Sequence, residues 1–190
     1  AQHAVAMLLG ICNHLVFHHN RLSEGIWNPG GEGVEEDAPS IPLDGKNIGL
    51  LGYGKINKKV HKLLANFNMT FFILRKTWKN RDEHYPTPIK KFDYHELHQF
   101  LKNIEILIIA APLTKLTKGM IGEKEFKLLG KNAVIVNVGR ADIINEKEFY
   151  TALKERQISR AAIDVWYIYH TKPDAYGRHY PYSFPFHKLD

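Results

Sequence analysis

Residues 47–76, NIGLLGYGKINKKVHKLLANFNMTFFILRK, restrict the fold more than any other stretch of this chain. Residues 47–51 are a short apolar run, and Gly52, Tyr53 and Gly54 turn the chain. Ile56, Val60, Leu63 and Leu64 then recur at helical spacing, and 69–74 is an apolar, β-prone run. Strand, glycine turn, helix and strand make one βαβ unit, the context in which a G-x-G-x-x-G match carries meaning. Gly52 permits the sharp turn. Gly54 lets backbone approach a pyrophosphate at the helix N-terminus, where unpaired N–H groups point outward. Asn57 stands where a third glycine would let helix pack closely on strand, so it demands more room or a local hydrogen bond. The expected ligand is a dinucleotide; the alternative is a purely structural βα turn.

The tip of the second strand bears on which dinucleotide. An NAD site usually places Asp or Glu about twenty residues past the glycines, on the ribose 2′-hydroxyl. Arg75 occupies that place here, followed by Lys76 and Lys79, with no carboxylate in residues 66–80. A carboxylate repels a 2′-phosphate, whereas Arg grips it with a fork of donors. The residues favour NADP, with NAD second; the competing reading of Arg75 is a solvated basic strand end.

The other strand-like runs, 104–110, 132–138 and 158–165, alternate with helical segments near 93–101, 123–129 and 145–154. Asp93 with Glu96, and Asn145 with Glu148, have capping-box spacing. Such alternation gives an α/β fold: a doubly wound parallel sheet, Rossmann-like, with helices on both faces. Ligands in that architecture sit outside the carboxyl ends of the strands, and Gly52, Arg75, Pro112, Arg140 and Asp164 all fall there. Residues 77–91, with Pro86 and Pro88, read as a polar connection.

Before this unit, residues 1–17 carry a broad apolar face and read as one helix that must cover a sheet face, another lobe or another subunit. Residues 21–45 read as an irregular arm anchored by Trp27. The apolar run at 4–16 is too short to span a bilayer, and the lone Cys12 excludes an intrachain disulfide, so a cytoplasmic protein without membrane partners is expected. Net charge is +6, but the basic residues are dispersed and no nucleic-acid-binding signature accompanies them. Anionic cofactor and substrate account for the excess. The aromatic tail, 166–190, reads as a loop packing its rings on the domain or a neighbour.

Arg140, after the strand in VNVGRAD, is placed to grip a carboxylate and polarise a keto oxygen beside a nicotinamide; its alternative is an ion pair to Asp142 or Asp164. Asp164 could accept from the carboxamide, or serve as a cap.

Four segments in order, GLLGYGKIN, APLTKLTKGMIG, VNVGRADIINEKEF and AAIDVW, resemble the cofactor domain of the D-2-hydroxyacid dehydrogenase family, which includes glycerate, glyoxylate/hydroxypyruvate and phosphoglycerate enzymes. The resemblance covers nearly the whole chain and implies a single dinucleotide-binding domain over 1–190, with residues 1–20 and the 21–45 arm at a homodimer or lobe interface. It makes Arg140 the substrate-binding arginine, Asp164 the nicotinamide-contacting aspartate and Pro112 a residue packed by the nicotinamide. Tyr53, Lys55 and Ile56 in the glycine segment, Lys76, Thr117 and Val138 complete the expected cofactor contacts, and no metal is expected.

Two departures stand out. The family's catalytic His lies in a Pro-His pair beyond Asp190, and Tyr169 aligns with its partner Glu. Formate dehydrogenases, cousins of the family, carry an uncharged amide there. The substrate lobe and final strand are also expected outside residues 1–190, so this portion alone is expected to be inactive. The implied reaction is hydride transfer between NADP(H) and a small 2-keto or D-2-hydroxy acid. The alternative is a catalytically silent, NAD(P)-binding sensor or corepressor-like relative.

Overall fold

The computed structural model of the chain describes residues 1–27, 40–78 and 84–189. Six parallel strands form one sheet in the order β3-β2-β1-β4-β5-β6: β1 Asn47–Leu51, β2 Thr70–Leu74, β3 Ile89–Phe92, β4 Ile106–Ile109, β5 Val134–Asn137 and β6 Arg160–Ile163. The order reverses direction at β1, which pairs with β2 on one side and β4 on the other, so a crevice opens at the carboxyl ends of β1 and β4. Alternation along the strands sorts the core. Phe72, Leu74, Leu107, Ile109 and Ile135 face one layer with α4 (Leu97–Leu101), α5 (Glu123–Leu129) and α6 (Glu146–Lys154). Phe71, Ile73, Ile106, Ile108, Val134 and Val136 face the other, with α1 (Gln2–Cys12) and α3 (Lys55–Leu64).

The leading helix is not the single element expected over 1–17. α1 ends at Cys12, His14 is left-handed at φ 50°, and α2 runs Leu15–Ser23. The break has a tertiary cause: Arg160 Nη1 donates to the carbonyls of Ile11 and Cys12, both at 3.2 Å, and the Ile41 N–H donates to Cys12 O at 2.9 Å. The last carbonyls of α1 are thus capped from outside while the apolar pattern of the sequence runs on. Ala4, Leu8 and Cys12 are buried under the sheet, so of the three possible roles α1 covers a sheet face.

Two other expectations change. The connection read over 77–91 contains the start of β3, an edge strand whose Lys90 and Lys91 are exposed while Phe92 is buried. Trp27 is 71% exposed and is not buried among the described residues; Leu43, 6% exposed, is the buried side chain in the described part of the arm, whose residues 28–39 lie outside the described residues, as does Lys79. The capping boxes at Asp93–Glu96 and the Asn145 cap on Glu148 N–H form as read. The tail packs its rings on the domain: Phe186 sits among Phe149, Tyr150, Trp166 and Tyr182, edge-on to the last three and tilted to the first, with ring centres 5.4–5.6 Å apart. Among the described residues no helix is long and apolar enough to cross a membrane.

Candidate functional site

The crevice starts at the glycine turn. Gly52 has φ +82°, and a Cβ there would meet Ala110 O and Ala111 Cα at 3.0 Å, so only glycine fits between β1 and β4. Gly54 caps α3 from an extended conformation, and a Cβ on it would stand in open space. The first helical bond is donated by Lys58 N–H to Gly54 O at 3.0 Å, which leaves the preceding N–H groups of the first turn aimed outward. Open space over outward N–H groups is what a pyrophosphate requires.

Asn57 solves the problem of the missing third glycine with hydrogen bonds. It is fully buried, and its Nδ2 donates to Gly52 O at 2.7 Å, Leu51 O at 3.3 Å and Ile108 O at 3.5 Å. Its amide therefore clamps α3 onto the carboxyl ends of β1 and β4, while Oδ1 has no partner among the described residues. A second clamp holds the turn from the other side. The Tyr53 hydroxyl is 2.8 Å from His61 Nδ1, and His61 Nε2 is 2.8 Å from Thr87 Oγ1. Burial pushes the His61 imidazole down to about 4, so it is neutral at neutral pH and bridges the two hydroxyls without adding charge.

Two clefts flank this turn. One, of about 510 Å³, is lined by Gly52, Tyr53, Arg75, Lys76 and Pro112 from the expected set, joined by Thr77, Tyr94, Thr114, Lys115 and Leu116. Arg75 is fixed at its wall: Nε donates to Thr77 O at 2.6 Å and the guanidinium lies 4.5 Å from the centre of the Trp78 ring. The other cleft, of about 370 Å³, is lined by Ile56, Pro112, Val138 and Arg140 together with Ala110, Ala111, Leu113 and Gly139. Pro112 belongs to both.

Arg140 is exposed at the second cleft, and its Nη1 donates to Gly139 O at 2.8 Å. Neither Asp142 nor Asp164 pairs with it among the described residues, which removes the ion-pair reading. Asn137, 1% exposed, builds the turn beneath: Nδ2 donates to Arg140 O at 3.2 Å and Oδ1 accepts the Gly139 N–H at 3.0 Å.

Four expected residues line neither cleft. Gly54 and Lys55 form the helix start between them. Asp164 directly follows β6 and pairs with His3 of α1, Nε2 to Oδ1 at 3.1 Å. Thr117 is 1% exposed, and its Oγ1 donates to Pro112 O at 2.7 Å and accepts the Thr114 N–H at 2.8 Å. Its hydroxyl is therefore a strut of the 112–117 turn, not a surface facing the clefts.

The residues present fit a dinucleotide: a cradle over a helix N-terminus, a cationic cleft on the β2 side and an arginine on the β5 side. The chain is also similar to known proteins. Residues 5–181 match the family described as D-isomer specific 2-hydroxyacid dehydrogenase, NAD binding domain. A glyoxylate reductase of Pyrococcus furiosus is 32% identical over 169 residues, covering 87% of this chain and 48% of the relative. A hydroxypyruvate reductase of Blautia hydrogenotrophica is 28% identical, covering 86% and 49%. Among solved structures, an NAD-dependent formate dehydrogenase of Staphylococcus aureus in complex with NAD superposes with a TM-score of 0.73 at 28% identity, covering 87% of this chain and 47% of the other. The chain thus spans about half the length of the curated relatives it matches.

Proposed function

Because this chain belongs to the D-isomer specific 2-hydroxyacid dehydrogenase family, through its NAD-binding domain, we propose that it binds NADP(H) in a protein that reduces a small 2-keto acid to the D-2-hydroxy acid. Glyoxylate and hydroxypyruvate, which name its relatives' activities, are the first substrates to try. The nicotinamide, when bound, exchanges hydride with the substrate carbonyl carbon. The chain's own part is binding and polarisation. The first-turn N–H groups after Gly54 hold the pyrophosphate, Ile56, Pro112 and Val138 give the nicotinamide an apolar wall, and Asp164, which lines neither cleft and pairs with His3 through Oδ1, keeps Oδ2 to accept from its carboxamide. Arg140, exposed at the second cleft, holds the substrate carboxylate and draws charge onto the keto oxygen. We read the substrate lobe and the general acid as part of the remaining length that the relatives possess. We assign the cytosol, which suits a lone buried Cys12.

The observation that carries the NADP preference is Arg75 locked onto Trp78 at the wall of a cleft that no Asp or Glu lines among the described residues. A hydrogen bond to a charged group contributes roughly 1.5–3 kcal/mol and about 1.4 kcal/mol is tenfold, so NADP should bind about ten- to a hundredfold tighter than NAD. Arg75→Asp should reverse the order, since a carboxylate accepts from the ribose hydroxyl and repels the phosphate. Calorimetric titration of both cofactors against parent and variant tests this. Equal affinities in the parent, or a parent that prefers NAD, return Arg75 to a surface role.

The protein should also self-associate, through α2 and not α1, whose face is taken by the sheet. Leu15, Val16, Leu22, Ile26 and Trp27 are exposed along this one segment. Sedimentation at micromolar concentration should give a two-fold dimer that Val16→Glu with Leu22→Glu converts to monomer. A parent that sediments as a monomer overturns it.

A further inference from the structure

Lys115 belongs to no part of the machinery described so far, yet the chain takes care to present it. The turn that carries it is locked from within: Thr117 Oγ1 holds Pro112 O and the Thr114 N–H, while Thr114 Oγ1 accepts from the N–H groups of Leu116 and Thr117 at 3.2 and 3.3 Å. Gly119 N–H then ties the segment to Asp142 O at 2.7 Å. Lys115 and Leu116 form the exposed tip of this turn, and both line the 510 Å³ cleft opposite the end of β2. Leu116 is 58% exposed there, an apolar side chain kept in water at the mouth of a cleft. Lys115 has no ion pair or hydrogen bond among the described residues.

The position decides what Lys115 can meet. The pyrophosphate cradle, at the start of α3, lies between the two clefts, and Lys115 lines only the one that also holds Arg75 and Lys76. That cleft lies on the β2 side, where the adenosine half of a dinucleotide sits, and its volume is in the range that takes a small ligand. Three cations from two separate segments line it, and no carboxylate does among the described residues. A 2′-hydroxyl calls for an acceptor and no cation at all. A 2′-phosphate, with about two negative charges near neutral pH, calls for several. We propose that Lys115 is a specificity-determining residue for the adenosine 2′-phosphate, closing on it from the β4 side opposite Arg75, with Leu116 and Tyr94 as the apolar walls for the adenine. The inference rests on the NADP reading above and deepens it. It divides recognition between two jaws. Arg75 is planar and fixed by Trp78, whereas Lys115 is a point charge on a flexible stem that can follow the phosphate.

The test is calorimetric titration of parent and Lys115→Ala with NADP, NAD, adenosine 2′,5′-bisphosphate and ADP. Lys115→Ala should weaken NADP and the bisphosphate by about five- to tenfold and leave NAD and ADP unchanged. The loss should shrink as salt is raised, because the residue is exposed. An unchanged melting temperature confirms that the exposed substitution has not disturbed the fold. If all four ligands weaken alike, Lys115 serves the pyrophosphate, and if none weakens it is a solvated lysine; either result overturns the assignment while the parent's NADP preference stands. A parent with no preference for NADP overturns the NADP reading itself, and this inference with it.

Discussion

The 190-residue chain on its own is expected to bind NADPH and leave glyoxylate and hydroxypyruvate unreduced. The reason lies in what lines the two clefts. Arg140, which we propose holds the substrate carboxylate, lines the second cleft, but no His, Asp or Glu lines either cleft among the described residues. The two phenols present are poor proton donors: the Tyr53 hydroxyl is engaged with His61, and burial raises the pKa of Tyr94 further. A positioned acid or base contributes roughly 10²–10⁴-fold, so rates should fall at least that far below those of an intact family member. Binding followed by NADPH fluorescence establishes that the domain is folded and loaded; loss of reduced-nicotinamide absorbance then reports turnover. Turnover comparable with an intact relative would mean that a proton donor inside this chain reaches the substrate, and the division of labour argued above would be wrong.

Asn57→Asp should strongly destabilise the glycine turn. The amide Nδ2 donates to three carbonyls in a fully buried position, and a carboxylate of the same shape would aim negative charge at all three. An uncompensated buried charge costs about 3–5 kcal/mol, a large part of the 5–15 kcal/mol typical of a domain, so the melting temperature should drop by roughly 10 °C or more. The pH dependence has a definite sign. The introduced carboxyl would have a folded pKa raised above its unfolded value of about 3.9, so the folded state holds the proton more tightly. The penalty relative to the parent is therefore smallest below about pH 4 and grows as pH rises through the folded pKa. Urea denaturation of both proteins across that range measures it. A difference under about 1 kcal/mol that does not vary with pH would show that the amide is not clamping these carbonyls.

The parts legible in the sequence are those set by local chemistry. The glycine turn between β1 and α3, the apolar strands and the cap at Asn145 each depend on residues close together in the chain. β3 was not legible because an edge strand needs only one buried position, and IKKF presents two exposed lysines in four residues. The break before α2 was hidden for a different reason: the group that ends α1 belongs to Arg160, far along the chain. The site divides in the same way. That Gly52, Arg75 and Arg140 would meet at the crevice was readable from their places at strand ends, and they line the two clefts. Tyr94, Lys115 and Leu116 join the first cleft only because separate connections converge over β1. Thr117 looked like a cofactor contact by its motif, and only the hydrogen bonds around it reveal a strut.

The seating of α1 also sets an order of events during synthesis. Its buried face, Ala4, Leu8 and Cys12, rests in the layer that holds Val134 and Val136 of β5, and its last carbonyls wait for Arg160 of β6. α1 can rest on α3 soon after both are made, but the part of its seat in β5 and its cap from Arg160 come much later in the chain, so its full burial waits for them. Until then part of its apolar side stays open at the residues-per-second pace of elongation and not the microseconds of helix formation. A ribosomal stall before residue 160 leaves the last carbonyls of α1 without that cap.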